Sequence, residues 1–359
     1  GLNLSSKVND YVKFNSRFIV GSPDNAGFAD LGSGRNTTST TGNNPGSDTQ
    51  ADVTLSNAYF GFTAIPNTVV NIGKQGLATP YTVATDINGN EQTGTGILAL
   101  STFGPITAGA GYFNNTNLDQ SLELNISRGL GLDNQMIFNP GATNLLDGGS
   151  DMYVATVQGD LDFVKLEAWY AGLQETFNTY TLAATSNLDL AENAKLGLEA
   201  RYVNLKLKQD AANDLYNASR TITLSGPSAL DAERDNDMFR LAVDGKFSIV
   251  NARLAYTKTG KDGGLTALDQ DAKNTSLGWA ITSNGIANAD YIQAALGADI
   301  LDNLNFTLHY GQLKSKEDIN SNIRILVDDV KAKEVYGQLT YKMSKNLSTY
   351  LRYGTYDEK

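Results

Sequence analysis

Apolar and polar side chains alternate along most of this chain, in runs of about ten residues. In residues 238–247, Phe239, Leu241 and Val243 fall on one face of an extended chain, whereas Arg240 and Asp244 fall on the other. A period of two residues is typical of a β-strand with one apolar and one polar face. The pattern therefore predicts strands along the whole chain.

The alternating runs come in pairs, and each pair is joined by a very short turn and followed by a long polar loop. Sixteen strands are predicted in this way, at residues 2–8, 11–20, 53–63, 69–75, 96–102, 106–113, 152–158, 164–173, 180–190, 195–205, 238–247, 250–258, 291–300, 304–312, 333–343 and 347–356. The long loops are predicted at about residues 23–50, 114–150, 209–236, 259–288 and 313–330. Short turns at one rim and long loops at the other are the arrangement of outer-membrane barrels.

Two kinds of all-β fold fit these alternating faces. In a soluble sandwich the apolar faces form the core, whereas in a membrane barrel they contact lipid and the charged faces line a lumen. Tyr or Phe ends many apolar faces, as at Tyr256, Tyr310 and Tyr353; this suits the aromatic belts at the membrane interfaces, although each ring alone also fits core packing. The sorted loops favour the barrel. We predict an all-β fold, a single closed antiparallel transmembrane β-barrel over residues 1–359, with its long loops extracellular.

One polar segment, at about residues 76–95, separates two alternating runs and is too long for a hairpin turn. It places the oxygen-bearing side chains of Asp86, Asn88, Asn90 and Glu91 at close intervals. Neighbouring glycines let the backbone bend sharply. We predict that this segment folds into the lumen as a constriction loop, where it narrows a water-filled path and sets its charge.

Composition agrees with a fold of strands and turns, because the chain has 35 Gly, 17 Tyr and 13 Phe but only 7 Pro. The absence of Cys excludes disulfides and thiolate metal sites. With 28 basic and 39 acidic residues the net charge is −11, which argues against a nucleic-acid partner and favours a lumen that attracts cations. No apolar run reaches about 18 residues, so a membrane span would have to use strands.

Charged side chains on the predicted inner faces are candidates for setting the ion selectivity of a pore. Together with the acids of the constriction loop, they are Asp86, Glu91, Lys13, Arg17, Glu167, Glu199, Arg201, Arg240, Asp244, Arg253, Glu334 and Arg352. Each wall residue has an alternative role in a cross-strand ion pair that only holds the wall. A basic wall opposite Asp86 and Glu91 would create an electric field across the path.

Asp86, Asn88, Asn90 and Glu91 are also candidate calcium ligands, because residues 86–90 match D-x-N-x-N, the start of an EF-hand loop. The match is incomplete: Gly stands at the fourth position instead of the sixth, and no Glu stands at the twelfth. The alternative is a solvated acidic turn. A second near-match, at residues 269–274, has a Lys at a ligand position and is interpreted as a loop.

Residues 73–115 carry the motifs GKQGL, TPYT, TDINGNEQTGTG and ILALSTFGPITAGAGYFNN. In these motifs the chain resembles the major outer membrane protein (porin) family of Campylobacter and related bacteria. The likeness continues less distinctly in DMYVATVQGDL, KLGLEARYVN and ADYIQAALGADI. The resemblance implies a homotrimer of 18-stranded barrels that passes small hydrophilic solutes, with a calcium site near the constriction. One strand would then be missing at each end, since the last residues, ending at Lys359, depart from the terminal aromatic strand of the family.

Catalytic chemistry finds little support in the sequence. The only histidine, His309, lies on a charged strand face, where a wall residue is commoner than a general base. No phosphate-binding loop of the form GxxxxGK[ST] is present. We therefore expect a protein that is not an enzyme and that requires no cofactor beyond the candidate calcium.

The sequence favours a passive general diffusion porin, weakly cation-selective, in a bacterial outer membrane. Its expected partners are membrane lipid and lipopolysaccharide, further copies of the chain in a homotrimer, and small hydrophilic solutes. One alternative is an adhesin or surface antigen whose loops bind and whose barrel is an anchor. Another is a soluble secreted β protein that binds carbohydrate through Trp169 and Trp279.

Overall fold

One large antiparallel sheet dominates the fold. The computed structural model of the chain describes residues 1–20, 53–86, 91–118, 127–128, 136–137, 148–220, 232–316 and 329–359. Sixteen strands follow one another in this sheet in sequence order, each hydrogen-bonded to the next, and a separate two-stranded sheet stands outside it. In the parts of the chain that are described, no helix is long and apolar enough to cross a membrane.

The secondary structure is almost entirely strand. The strands are β1 (Leu2–Lys7), β2 (Val12–Val20), β3 (Val53–Phe62), β4 (Thr68–Gly76), β5 (Thr93–Phe103), β6 (Ile106–Thr116), β7 (Ser127–Arg128), β8 (Met136–Ile137), β9 (Met152–Leu161), β10 (Val164–Leu173), β11 (Phe177–Ala191), β12 (Ala194–Leu207), β13 (Asp235–Phe247), β14 (Val250–Thr259), β15 (Ala289–Leu301), β16 (Leu304–Ser315), β17 (Val330–Ser344) and β18 (Leu347–Glu358). One described helix, α1 (Gln209–Arg220), follows β12. Strands β7 and β8 form the small separate sheet.

All sixteen predicted strands are confirmed, and each tight turn joins the pair of strands expected from the alternation. The bounds differ by up to three residues at one end, as at β11, which begins at Phe177 and not at residue 180, and at β17, which begins at Val330 and not at residue 333. The loop expected at about 209–236 is partly helical, because α1 occupies its first half. The loop expected at 23–50 lies outside the described residues, as do most of those at 114–150 and 313–330.

The two faces of the sheet differ in chemistry as the alternation predicts. On β13, Phe239, Leu241 and Val243 point outward and are exposed, while Arg240 and Ala242 point inward and are buried. Neighbouring strands repeat the pattern because directly paired residues share a face, so that Leu241 pairs with Tyr256 and Arg240 with Thr257. An exposed apolar outer face of this extent needs a lipid environment.

The sheet curves around polypeptide that packs on its inner face. Strands β1 and β18 are its two edges and do not pair with each other, so these sixteen strands do not form the closed barrel expected from the sequence. Contacts to this enclosed polypeptide come from both ends of the strand order, from Arg17 on β2 to Glu91 and from Glu334 on β17 to Ala280. The inner face therefore lines an enclosed space.

The buried apolar core lies inside this space. A large cluster joins strand residues such as Phe113, Met152 and Leu205 to Leu77 and Leu268 of the enclosed polypeptide. A smaller cluster gathers around Ile281, Ile286, Tyr291 and Leu313. Burying each such side chain stabilises the fold by about 1.5–3 kcal/mol. The enclosed polypeptide is held in place by packing as well as by polar contacts.

Candidate functional site

Two connections between strands lie inside the curved sheet. The first inner segment, residues 77–92, joins β4 to β5, and residues 77–86 and 91–92 of it are described. The second inner segment, residues 260–288, joins β14 to β15. Both are rich in buried residues, including Leu77 and Tyr81 in the first and Leu265 and Ser283 in the second. Burial raises the pKa of the Tyr81 hydroxyl.

The two inner segments are joined by hydrogen bonds. The Leu268 amide donates to the Tyr81 carbonyl and the Asn274 amide to the Pro80 carbonyl, each at 2.8 Å. The Gln92 side-chain amide donates to the Leu268 carbonyl at 2.9 Å. Because each segment satisfies backbone groups of the other, they form one continuous partition across part of the enclosed space.

The second inner segment was expected only as a long extracellular loop, at 259–288. It instead lies deep on the inner face, and its hydrogen bonds reach seven consecutive strands. The wall residues that make them are Thr181, Arg201, Arg240, Thr257, Gln293, Ser315 and Glu334, on β11 to β17 in turn. The alternation pattern does not reveal this, since a polar segment without periodicity fits an exposed loop equally well.

Arg17 and Glu91 join the wall to the first inner segment. Arg17 Nε donates to Glu91 Oε1 at 2.5 Å, and the Glu91 side chain is only 6% exposed. Arg17 also donates to the Asn3 side chain at 3.1 Å. Asp86 is half-buried in the same segment. An acid of this segment thus faces a base of the wall.

A cluster of three charges lies buried on β12 and β13. Glu199 Oε1 accepts from Arg201 Nε at 2.9 Å and from Arg240 at 2.6 Å. Arg201 and Arg240 are 4% and 7% exposed. Two guanidinium groups beside one carboxylate leave a net positive charge, which carbonyl oxygens of the second inner segment help to offset, as at Thr275.

Other predicted pore charges are more accessible. Arg253 and Asp244 pair at 2.6 Å with side chains 40% and 49% exposed. Glu167 differs from them, because its side chain is only 9% exposed; it lies 3.8 Å from the ammonium group of Lys273, which was not among the predicted pore charges. Lys13 is exposed on the inner face of β2. Lys13 and the Arg253–Asp244 pair therefore face the enclosed space, where dissolved ions would meet them.

A cavity of about 370 Å³ remains between the second inner segment and the wall. Its lining is polar and charged, and includes Arg253, Lys273, Gln293, His309 and Tyr336. A space of this size holds several water molecules with polar partners on most sides. The inner face can therefore hold water beside the second inner segment.

Aromatic rings line one side of this cavity. His309 stacks on Tyr336 with ring centres 4.5 Å apart, and Trp279 meets the same ring edge-on at 5.3 Å. The Arg352 guanidinium lies 5.7 Å from the Tyr336 ring centre and donates to the Gln338 side chain at 2.5 Å. His309 is thus a wall residue, as expected, and the structure adds that it stacks on an aromatic ring.

Several residues that contact the second inner segment, or lie in it, could not be selected from the sequence. Asn274, Ser276 and Gln293 carry no charge, and their hydrogen-bond partners lie far away along the chain, as with Asn274 and Thr181. The one available signal was the length of the 260–288 segment, since long structureless connections in compact folds are uncommon and often functional. Trp279 in that segment was a second hint, because an indole is rarely left in solvent.

The calcium hypothesis stays a prediction, because Asn88 and Asn90 lie outside the described residues. Of the four candidate ligands, Glu91 gives the clearest indication. Its Oε1 atom is engaged by Arg17, whereas Oε2 is buried and has no hydrogen-bond partner among the described residues. A buried carboxylate oxygen without a hydrogen-bond partner is suited to binding a hard cation such as calcium.

The model of the Campylobacter major outer membrane protein family matches residues 1–358. No curated protein matches the chain.

Solved structures with a similar fold come from Pseudomonas aeruginosa and Acinetobacter baumannii. Pseudomonas aeruginosa OccK8 (OprE) is 14% identical with a TM-score of 0.66, over 99% of this chain and 87% of that one. Pseudomonas aeruginosa OpdL has 14% identity and a TM-score of 0.64, with 99% and 86% covered. Acinetobacter baumannii OccAB2 has 16% identity and a TM-score of 0.63, with 99% and 85% covered. At these identities the likeness concerns the fold.

Proposed function

The chain belongs to the Campylobacter major outer membrane protein family, and from that premise we propose that it is a general diffusion porin. Family membership assigns it to the outer membrane as a β-barrel protein and excludes the soluble carbohydrate-binding alternative. The porin passes small hydrophilic solutes and ions passively, with a weak preference for cations, and carries out no reaction on them.

The observation that carries this proposal is the division of the sheet into two faces. The outer face exposes apolar side chains such as Leu241, which suit lipid, while the inner face carries charges around a hydrated cavity. An adhesin that used its barrel only as an anchor would have no need of a charged interior with polar segments folded into it.

Solutes would be selected by size and by charge. The two inner segments reduce the open cross-section, so that only small solutes pass. Exposed ionic groups of both signs, such as Lys13, Arg253 and Asp244, lie along the remaining path and act together with the excess of acidic residues in the chain. Because the net charge is −11, the summed potential favours cations.

The finer features belong to the same proposal. The functional unit is a homotrimer, each barrel closes with 18 strands in the full protein, and lipopolysaccharide surrounds the outer leaflet part of the apolar face. These features rest on membership of the family. An even number of strands agrees with the rule for bacterial single-chain barrels.

Calcium is proposed as a structural ligand of the first inner segment. Asp86, Asn88, Asn90 and Glu91 would supply its oxygen atoms, with Glu91 Oε2 as the buried one. The ion would neutralise acidic side chains at the narrow part of the path and stiffen the segment.

Osmotic swelling of protein-containing liposomes tests the diffusion function. We expect fast swelling in small sugars and a steep loss of rate as the sugar grows. As a control, liposomes should carry the same chain after heat unfolding. Equal, slow swelling with folded and unfolded protein would contradict a porin and leave the adhesin alternative.

A further inference from the structure

We propose that Arg240 and Glu334 are positioning residues that clamp the second inner segment across the channel. This inference rests on the proposed diffusion function, and it gives two of the predicted pore charges a different task. Both side chains are almost fully buried, at 7% and 3% exposure. They project from β13 and β17, on either side of the segment.

Arg240 holds the carbonyl side of the segment. Its guanidinium group donates to the Thr275 carbonyl at 2.5 Å, to the Lys273 carbonyl at 2.8 Å and to the Ser276 hydroxyl at 3.3 Å. Glu199 pairs with the same guanidinium group and so keeps it in place. A planar cation with five fixed donors suits this binding of several oxygens at once.

Glu334 holds the amide side of the same segment. Its carboxylate accepts from the backbone amides of Trp279, Ala280 and Ile281 at 3.2, 2.7 and 3.3 Å. Hydrogen bonds to an ionised acceptor are stronger than those between neutral groups. Residues 273–281 are thus held at both ends: the Arg240 guanidinium group binds backbone carbonyls at one end, and the Glu334 carboxylate binds backbone amides at the other.

Two glycines make room for this carboxylate. A methyl group at Gly278 would collide with Glu334 Oε1, and one at Gly311, which pairs directly with Glu334, would lie 2.9 Å from its Cγ atom. Neither Gly278 nor Gly311 has a positive φ angle, so backbone conformation does not require glycine at these positions. The absence of side chains at these two positions leaves room for the Glu334 carboxylate, which indicates that its contact with the second inner segment is specific.

The clamp predicts that the second inner segment becomes mobile when either charge is removed. Trypsin can report this in detergent-solubilised protein, because Lys273 lies inside the clamped stretch. Lys261 lies in the same segment but before that stretch, with its side chain 75% exposed, and is an internal reference. We expect Glu334→Gln and Arg240→Gln each to speed cleavage after Lys273 about tenfold relative to Lys261.

Matched variants separate the clamp from a general loss of charge or packing. Asp244→Asn removes an inner-face carboxylate that pairs with Arg253, and it should leave cleavage after Lys273 unchanged. Gly278→Ala should act like Glu334→Gln, because the methyl group displaces the carboxylate. Gly245→Ala, where a methyl group meets no atom within 4 Å, is its control. Unchanged cleavage after Lys273 in both the Glu334 and the Gly278 variants would overturn the proposal.

A disulfide tether gives a rescue. The Thr257 and Ser276 hydroxyl oxygens are 2.7 Å apart, and the chain has no Cys of its own. Thr257→Cys with Ser276→Cys, oxidised in the Glu334→Gln background, should restore resistance at Lys273, and reduction should remove it. Failure of an oxidised tether to protect Lys273 would mean that the loosened region is not residues 273–281, which contradicts the clamp.

Planar-bilayer recording then links the clamp to the proposed function. Wild-type channels should be quiet, and Glu334→Gln channels should show open-state noise that the oxidised tether suppresses. If the wild type does not conduct, the diffusion function fails, while the proteolysis still reports on the clamp. If Glu334→Gln channels are protease-sensitive but as quiet as the wild type, the clamp does not position the segment for conduction and that part is overturned.

Discussion

Arg17 on β2 and Glu91 in the first inner segment form an ion pair at 2.5 Å although 74 residues separate them in sequence. The pair fastens the acidic end of the segment to a basic wall. Glu91 is nearly buried, whereas a quarter of the Arg17 side chain remains exposed. The two groups therefore hold opposite charges next to the enclosed space, and their removal should affect ions that pass.

Selectivity should respond in opposite directions when each partner is neutralised. Arg17→Gln removes a positive charge beside the path and should raise the cation-to-anion permeability ratio by about twofold, while Glu91→Gln should lower it to a similar extent. Reversal potentials under a salt gradient measure both. Lys7→Gln is a matched control, because Lys7 pairs with Asp10 at a strand turn and is 64% exposed. Shifts of the same sign in the two variants would refute this prediction.

The buried charge cluster should matter more for stability than the exposed pair. Glu199→Gln leaves Arg201 and Arg240 buried without a counter-ion, which should cost about 3 kcal/mol of unfolding free energy. Asp244→Asn breaks a pair with about half-exposed side chains and should cost less than about 1 kcal/mol. Urea titration of the protein folded into lipid vesicles measures both values. Equal losses would show that burial does not set the cost.

The outer and inner faces of β11 should tolerate a positive charge differently. Leu182→Arg places a charge on the exposed apolar face and should make the free energy of folding into vesicles about 2–4 kcal/mol less favourable. Asn187→Arg puts the same group on the inner face of the same strand, where Asn187 pairs with Gly197, and should fold as the wild type does. The folded fraction is read from heat-modified mobility on gels. A reversed order would mean that the faces are assigned the wrong way round.

Removal of calcium should loosen the first inner segment if the ion binds there. A chelator should lower the thermal midpoint and increase open-channel noise in the wild type. In Asp86→Asn the chelator should have little further effect, because one carboxylate ligand is already gone. The Asp244→Asn variant, with both ligand carboxylates intact, should respond to the chelator like the wild type. A wild type that is indifferent to the chelator would contradict the calcium hypothesis.

The division of faces could be predicted from the sequence because it follows from local geometry. Residues two apart in an extended chain share a face, so Arg240 and Asp244 had to lie opposite Leu241. The turns were also predictable from local sequence, because short connections that contain Asn or Gly join two neighbouring antiparallel strands into a hairpin. The turns therefore fixed which strands pair within each hairpin.

The second inner segment could not be predicted in the same way. Its side chains Asn274 and Ser276 are polar and would suit a solvated loop, and they are buried only because their partners arrive from distant strands. Asn274 bonds Thr181, 93 residues away, and Ser276 bonds Arg240, 36 residues away. Such pairings depend on the curvature of the whole sheet. Glu334 was selected as a pore charge because the sequence does not show that the second inner segment folds over it and that backbone amides of this segment bind its carboxylate.

Single-channel recording of the purified full-length protein in a planar bilayer tests the diffusion function most directly. We predict steady ohmic conductance in groups of three equal steps and a reversal potential of weakly cation-selective sign under a salt gradient. Protein that is folded by gel mobility and inserted in the bilayer, yet carries no current, would contradict the proposed porin.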